Sequence, residues 1–256
     1  MKNKIFLFSD LDDTLITSKR KIPDFNEFEF TVGGIKRDGV TPHSFFKNGT
    51  LQFLNILIDS KEAHLIPVTA RDLTSYKRFV LSEDERIKYA IINFGGVILK
   101  NGKLDEYWNK HIKSQYNALD NQIKDIFDKS NEIIKEKKYK DKVKASFIDG
   151  YYIAFRYIQK GEKKKWHKKL KKALKLLIKA TNQEYYIFEN DSSVSILPHF
   201  LNKSKAVQHL IDKYEPSLTI GAGDNENDRE FMKVCDFALV PKDTDNSELL
   251  NQEVKV

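Results

Sequence analysis

Phe6-Leu7-Phe8-Ser9-Asp10-Leu11-Asp12-Asp13-Thr14-Leu15 is the stretch that decides how this 256-residue chain is read. A short apolar run ends in two carboxylates one residue apart, Asp10 and Asp12, with Thr14 just beyond. Such a run predicts a buried strand. Open α/β sheets place their ligand sites at the C-terminal edge of strands. Side chains alternate along a strand, so Asp10 and Asp12 share a face if the extended geometry persists. Two carboxylates that close repel one another. The arrangement is tolerable when a hard cation sits on one and the other is free to carry a proton. A strand followed by a carboxylate-rich turn is the plainer alternative, since Asp is common in turns.

Three further segments weigh against the plain turn. In Ile66-Pro67-Val68-Thr69-Ala70-Arg71-Asp72 an apolar run ends in a hydroxyl and a guanidinium. Asn202-Lys203-Ser204-Lys205-Ala206-Val207 opens a helical pattern. In Thr219-Ile220-Gly221-Ala222-Gly223-Asp224-Asn225-Glu226-Asn227-Asp228 an apolar segment runs into small residues and then an acidic cluster. Together the four segments supply two acidic clusters, a hydroxyl and an ammonium. That is the inventory for holding a metal and a phosphoryl group together.

On these residues the chain resembles the haloacid dehalogenase-like superfamily of phosphotransferases, whose four motifs it matches in order across nearly its whole length. Asp10-Leu11-Asp12-Asp13-Thr14 is similar to the nucleophile motif, Thr69 to the hydroxyl of the second, and Lys203 to the lysine of the third. Gly223-Asp224-Asn225-Glu226-Asn227-Asp228 is similar to the metal-binding fourth. Many relatives carry Gly where Asp13 stands, and Asn and Asp variants are familiar in the sucrose-phosphatase-like branch. The Asp13 carboxylate is expected to face solvent rather than substrate.

The resemblance implies a mechanism. Asp10 attacks phosphorus and becomes an aspartyl-phosphate; Asp12 protonates the leaving alkoxide and then deprotonates the hydrolytic water. Mg²⁺ is held by Asp10, the main-chain carbonyl of Asp12, and Asp224. Thr14, Asn227 and Asp228 support that shell from behind. Thr69 and Lys203 bind phosphate oxygens. Arg71 either joins them or forms a surface ion pair. A carboxylate at Asp12 favours phosphatase or phosphomutase chemistry over the dehalogenase and ion-pump branches, which lack it.

Composition agrees with a folded enzyme. Hydrophobic residues make up 40% of the chain. No apolar stretch approaches the ~18 residues needed to cross a bilayer. The basic and then apolar N-terminus is too short at Ile5–Phe8 for a signal peptide and runs straight into the acidic motif. A single cysteine, Cys235, excludes an intrachain disulfide and fits a reducing cytoplasm. It reads as a small buried residue rather than a reactive thiol.

The pattern predicts a doubly wound, Rossmann-like parallel-sheet core interrupted by an inserted domain. Residues 1–98 alternate strand and helix at 4–10, 50–60, 63–69, 72–81 and 89–94. Further buried strands at 217–221 and 236–240 flank a helix near 226–234. Residues 18–48 are long for a strand-to-helix connection, and turn signals at Gly33-Gly34 and Asp38-Gly39 suggest a β-hairpin flap beside the site, with a loosely ordered loop as the alternative. The core is expected over 1–98 and 196–256, and the insertion over 99–195.

The insertion reads helix 114–139, strands 142–148 and 151–158, helix 163–181, and strands 184–189 and 193–197. Asp149-Gly150 and Asn190-Asp191 are the expected turns. This α-β-β-α-β-β order resembles the large α+β cap of the branch containing sugar-phosphate phosphatases and phosphomannomutases. Such a cap is expected to close over the site and exclude water.

Charge is uneven. Residues 101–200 hold 22 Lys and Arg against 13 Asp and Glu, leaving 22 basic and 24 acidic elsewhere, so the chain's formal +7 comes from the insertion. A basic cap over an acidic core would steer anions inward. In Lys163–Leu174, Trp166, Leu170, Ala173, Leu174 and Leu177 fall on one helical face with lysines opposite. This reads as a solvated cap helix in preference to a nucleic-acid or membrane surface.

His64 reads as structural. His199 lies near the return to the core, either touching substrate or facing solvent. Gly95-Gly96 marks a close backbone approach, a hinge or an ordinary turn. The expected activity is Mg²⁺-dependent hydrolysis of a small phosphorylated metabolite, foremost a sugar phosphate, with no membrane partner. A phosphomutase, or a nucleic-acid-end phosphatase using the basic cap, are the alternatives; nucleic acid is the disfavoured partner. Oligomeric state is left open.

Overall fold

The computed structural model describes residues 3–136, 139–158, 163–179, 181, 184–190 and 193–250. It divides into two compact units, one of residues 1–109 with 202–256 and one of residues 110–201.

In chain order the strands are β1 (Ile5–Ser9), β2 (Thr17–Ser18), β3 (Phe30–Ile35) and β4 (Pro42–Lys47), then helix α1 (Asn48–Asp59) and β5 (Ala63–Pro67). Next come α2 (Leu73–Tyr76), β6 (Tyr89–Ile92), β7 (Val97–Lys100), β8 (Lys103–Leu104), α3 (Glu106–Asn117) and α4 (Asp120–Lys135). They are followed by β9 (Val143–Ile148), β10 (Tyr152–Tyr157), α5 (Lys163–Ile178), β11 (Tyr185–Asn190) and β12 (Ser193–Pro198). The chain ends with α6 (Lys203–Tyr214), β13 (Leu218–Ala222), α7 (Arg229–Met232), β14 (Phe237–Leu239) and α8 (Asp245–Leu250).

The first unit is built on a parallel sheet ordered β14-β13-β1-β5. β1 lies in its middle, and Phe6, Leu7 and Phe8 are buried because both faces of the sheet are covered. β6 joins the edge beside β5 through a single parallel bridge, Val68 to Ile91, and then turns antiparallel into β7 and β8. The fold is the expected α/β class with a parallel core.

The 18–48 segment forms a three-stranded antiparallel sheet, ordered β2-β4-β3. It is tied to the core rather than loose. The Ile35 N–H donates to the Arg78 carbonyl at 3.0 Å and the Val80 N–H to the Gly33 carbonyl at 3.1 Å. That pairing also explains why the helix expected over 72–81 stops at Tyr76: residues 78–80 bond to β3, and this tertiary pairing overrides the local preference.

The second unit is an antiparallel sheet ordered β11-β12-β10-β9, with α4 and α5 packed on it. Ile123, Ile126, Leu170, Leu174, Phe155 and Ile196 belong to its core. Leu170 and Leu174 are buried and Ala173 and Leu177 half-buried, while Lys168, Lys169 and Lys172 are exposed. The side chain of Trp166 lies outside the described residues. The helix expected over 114–139 is two helices, broken at Ala118-Leu119. Asp149 and Gly150 both take positive φ, 47° and 74°, and close the β9–β10 hairpin as expected. Of the other expected turn, Asp191 lies outside the described residues.

The division falls at 109/110 and 201/202, against the expected 98/99 and 195/196. Two contacts account for the shift. β7 and β8 pair back onto β6, and the Trp108 indole N–H donates to the Gly95 carbonyl at 2.8 Å, which keeps residues to 109 with the first unit. β12 pairs with β11 through Pro198, holding that strand to the second.

Candidate functional site

Register in the parallel sheet assembles the site. Ser9 stands opposite Ala222 on one side and Pro67 on the other. One or two residues beyond that line lie Asp10, Asp224 and Thr69, so three separate segments deliver their polar residues to one edge. Backbone bonds hold the exits: the Asp10 N–H donates to the Ala222 carbonyl at 2.9 Å, and the Val68 N–H to the Ser9 carbonyl at 2.7 Å.

Asp10 is buried, 5% exposed. Lys203, the first residue of α6, donates to Asp10 Oδ1 at 2.6 Å and to Asp228 Oδ1 at 2.7 Å. The helix start is fixed from two sides. The Asn202 side chain caps it, accepting from the Ser204 N–H at 2.7 Å. Gly95, at φ +90°, brings the β6–β7 turn so close to the Asn202 backbone that a Cβ there would overlap it. Of the readings for Gly95-Gly96, the close backbone approach is the one observed.

The carboxylates of Asp10, Asp224 and Asp228 present oxygens within 4.8 Å of one another. Asp228 is fully buried, and its Oδ2 has no hydrogen-bond partner. Asp224 Oδ1 accepts from Thr14 Oγ1 at 3.1 Å and from Asn225 Nδ2 at 3.0 Å. Burial, with Asp228 beside it, pushes the Asp224 carboxyl up to about 6. Burial pushes Asp10 well above its ordinary value, Lys203 working against it and the neighbouring carboxylates adding to it. Burial would lower Lys203, yet Asp10 and Asp228 outweigh that and raise it. Three carboxylates facing one ammonium leave two negative charges uncompensated. The donor set, hard oxygens with one orphaned buried carboxylate oxygen, fits a divalent cation.

Asp12 does not stay with Asp10. The strand ends at Ser9, and the Asp12 side chain turns outward, 57% exposed, into a two-pronged pair with Arg71. Arg71 Nε donates to Asp12 Oδ2 at 2.8 Å and Nη2 to Oδ1 at 2.6 Å. Burial would raise the Asp12 carboxyl, but the Arg71 hydrogen bonds and charge prevail and hold it below its ordinary value. Asp13 takes φ 65° and pairs with Lys21 at 2.6 Å. Asp, with its short side chain, adopts this left-handed position at low cost.

Thr69 is buried, and its Oγ1 accepts from the Arg71 N–H at 3.2 Å. Asn227 is exposed and bonded to Asn225, so Asn225 and not Asn227 supports Asp224. Asn246 is a further support that sequence reading missed: its N–H donates to the Asp224 carbonyl at 2.9 Å and its side chain to the Gly223 carbonyl at 3.0 Å. His43, on β4, was also missed. Its imidazole feels the charges of Arg71, Asp12, Arg78 and Arg20. Neither residue sits in a motif, and no local pattern marks them. His199 belongs to the second unit, exposed and stacked on Tyr186 with centroids 5.2 Å apart. His64 packs edge-on against Phe6 at 5.8 Å, a structural place. Burial raises the Cys235 thiol to about 12, leaving it protonated and unreactive.

Among solved structures, the sucrose-phosphatase of Synechocystis sp. PCC6803, in complex with sucrose and phosphate, matches with a TM-score of 0.56 at 15% identity, over 99% of this chain and 89% of that one. The trehalose-6-phosphate phosphatase C-terminal domain of C. albicans matches with a TM-score of 0.56 at 13% identity, over 90% and 73%. IMP-bound, N-terminally truncated IMP-nucleotidase of Plasmodium falciparum matches with a TM-score of 0.58 at 16% identity, over 96% and 66%. At such identities these likenesses carry the fold alone. No curated protein matches the chain by sequence. The family model of sucrose-6F-phosphate phosphohydrolase matches residues 46–254, a span containing Thr69, Arg71, Lys203, Asp224 and Asp228 but starting after Asp10 and Asp12. With well over half its length matched, the chain belongs to the sucrose-6F-phosphate phosphohydrolase family, the sugar-phosphatase branch of the haloacid dehalogenase-like phosphoric monoester hydrolases.

Proposed function

We propose that the protein hydrolyses a small sugar phosphate in a Mg²⁺-dependent reaction that passes through an aspartyl-phosphate on Asp10. The observation that carries this is the buried Lys203 bridging Asp10 and Asp228, with Asp224 completing a triad of carboxylates within 4.8 Å. Asp10, Asp224 and Asp228 would hold the cation. When bound, it would supply the positive charge that keeps Asp10 ionised and offsets charge on the phosphoryl oxygens.

The chain's own residues do the rest. Asp10 forms the bond to phosphorus as the sugar oxygen leaves. Lys203 neutralises charge beside that reacting carboxylate. Thr69 offers its hydroxyl, and Arg71 its guanidinium, to the phosphoryl oxygens. Asp12 gives the leaving oxygen a proton and later takes one from water. While Arg71 grips Asp12, that carboxyl is ionised and has no proton to give. An incoming phosphate competes for Arg71. Once Arg71 shifts to the phosphate, Asp12 loses the hydrogen bonds and the largest charge that hold its carboxyl down, and its proton affinity rises although Lys203 and His43 still pull against it. Arg71 thereby couples phosphate arrival to the arming of the acid. The basic surplus of residues 101–200 would favour anionic substrates, and an inserted unit serving as a cap would exclude water.

The test is phosphate release from a panel of sugar phosphates, nucleotides and short oligonucleotides, with Mg²⁺ and with chelator. Mg²⁺-dependent release from a few sugar phosphates is expected. Isomer formation without release would mark a mutase instead, and release from oligonucleotides alone would overturn the small-substrate reading. Asp10→Asn is expected to cost on the order of 10⁴-fold or more in kcat, as removal of a nucleophile does elsewhere. The variant should fold normally, because Asp228 still holds Lys203. Turnover near that of the unsubstituted protein would refute the assigned nucleophile.

A further inference from the structure

The turn between β6 and β7 is buried and strained, and the hydrolysis itself gives it no task. Asn93, Phe94 and Gly95 take φ of 51°, 55° and 90° in succession. A run of left-handed residues costs energy, most of all at Phe94, whose bulky side chain rarely tolerates that region. Asn93 and Phe94 are 1% and 6% exposed, so the packing around them holds the conformation in place. Such strain persists where its surroundings over-determine it, and it gathers at functional sites.

The turn's partners show what the conformation achieves. The Asn93 N–H donates to the Arg71 carbonyl at 2.8 Å and the Phe94 N–H to the Thr69 carbonyl at 3.2 Å. The Thr69 N–H donates back to the Ile91 carbonyl at 2.8 Å, so that residue is pinned through both of its backbone groups. On the other flank Gly95 abuts the backbone of Asn202, where a Cβ would run into the carbonyl. Asn202 caps α6, and the next residue is Lys203. The Gly95 carbonyl accepts the buried Trp108 indole N–H at 2.8 Å. The Trp108 ring also lies against His209 of α6, with centroids 4.8 Å apart. Thr69, Arg71 and Lys203 come from distant parts of the chain, yet all three are referred to the same short turn.

We propose that the Asn93-Phe94-Gly95 turn, braced by Trp108, is the positioning element of the phosphoryl-binding residues. It places Thr69 and Arg71 through their carbonyls and Lys203 through the start of α6. This rests on the phosphatase reading above and extends it to residues that touch neither substrate nor cation. Donors stabilise a transition state when they are fixed before its charge develops. One reference point shared by the hydroxyl, the guanidinium and the ammonium keeps their spacing constant.

Two variants test it. Trp108→Phe keeps an aromatic ring in place and removes the N–H that Gly95 accepts. Gly95→Ala puts a methyl group against Asn202 and must displace the start of α6; if it fails to fold, Trp108→Phe carries the test alone. Calorimetry measures Mg²⁺ binding, and inorganic phosphate binding in the presence of Mg²⁺. Acetic anhydride labelling, read by mass spectrometry, compares Lys203, whose side chain is 10% exposed, with Lys233, at 68%. In Trp108→Phe, phosphate affinity is expected to fall about fivefold, the scale of one lost hydrogen bond, and Lys203 to label several-fold faster. In Gly95→Ala, kcat/KM should fall on the order of 10²-fold, the scale of a 1 Å misplacement. Mg²⁺ affinity should hold or rise in both, because a displaced ammonium competes less with the cation for Asp10 and Asp228. A folded variant with unchanged phosphate affinity and unchanged Lys203 labelling, whatever its stability, overturns the proposal. So does a loss of Mg²⁺ affinity in parallel with phosphate, the mark of general loosening. If the unsubstituted protein binds no phosphate and releases none from any substrate, the hydrolytic reading fails, and Lys203 labelling still decides the positioning role.

Discussion

Gly223 is where one missing carbon decides the geometry of the cluster. A Cβ at this position would fall inside contact distance of the Asp228 Cβ and crowd the Met232 sulfur. Its φ is not in the left-handed region, so close approach is the reason for glycine here, not backbone freedom. Gly223→Ala must push Asp228 away or move the β13 exit that carries Asp224. Overpacking of this kind costs about 1–3 kcal/mol. Displacing a positioned group by about 1 Å can cost on the order of 10²-fold in rate. We expect a urea midpoint lowered accordingly, weaker Mg²⁺ binding by calorimetry, and kcat/KM down by that order. An alanine variant with unchanged Mg²⁺ affinity would show that Asp228 does not depend on this contact.

At the scale of elements, α3 shows how one buried acid ties two segments together. Asp105 is 7% exposed and accepts from the Trp108 N–H at 3.1 Å, capping the helix start. It also accepts from Lys213 of α6 at 2.9 Å, and α6 is the helix that starts at Lys203. Burial would raise the Asp105 carboxyl, but the Lys213 hydrogen bond and charge and the Trp108 N–H outweigh it and lower it. A lowered folded value means that the stability it contributes is present above the unfolded value of about 3.9 and is lost as pH falls through the folded one. Asp105→Asn should cost about 1–3 kcal/mol near pH 7, the scale of a lost cap together with a lost charged hydrogen bond. The gap between the two proteins should close as pH falls below about 4, read as converging urea midpoints. A gap independent of pH would refute the linkage.

The same scale separates what the sequence made legible from what it did not. β1, β5 and β13 are readable because a continuous apolar run ending in polar residues is a local signal, and Asp10, Thr69 and Asp224 stand just past those ends, while Lys203 opens the helical pattern of α6. α2 was overcalled because residues 78–80 bond to a flap strand more than 40 residues earlier, a non-local contact that periodicity does not carry. The break between α3 and α4 hid in an unbroken amphipathic pattern. Asn225 was passed over for Asn227 because the motif spacing marks positions, while the short turn at Glu226–Asp228 decides which amide reaches Asp224. The outward turn of Asp12 depends on Arg71, 59 residues away. The register shifts between β3 and β4, which leave His43 as an extra residue between the paired Pro42 and Ser44, are announced by no residue pattern.

For the whole molecule, the decisive fact is that every carboxylate of the cation cluster belongs to the first unit, while the second has its own core around Phe155, Leu170 and Ile196. Chains with two cores commonly depart from two-state unfolding. A ligand stabilises only the unit whose native state binds it, by RT ln(1 + [L]/Kd), about 2.7 kcal/mol at a concentration of 100 Kd. Scanning calorimetry should therefore resolve two components, of which Mg²⁺ raises one and leaves the other in place. Asp224→Asn should remove most of that rise, because it takes away one of three ligating carboxylates. In the absence of Mg²⁺ the same substitution should stabilise the first unit slightly or leave it unchanged, since it removes the burial of a charge and the repulsion from Asp228 that together raise the Asp224 carboxyl to about 6. Opposite signs with and without metal are the signature of a site built for a cation. A single transition that Mg²⁺ raises as a whole would mean the two units unfold together, and a Mg²⁺ response retained in Asp224→Asn would place the cation elsewhere.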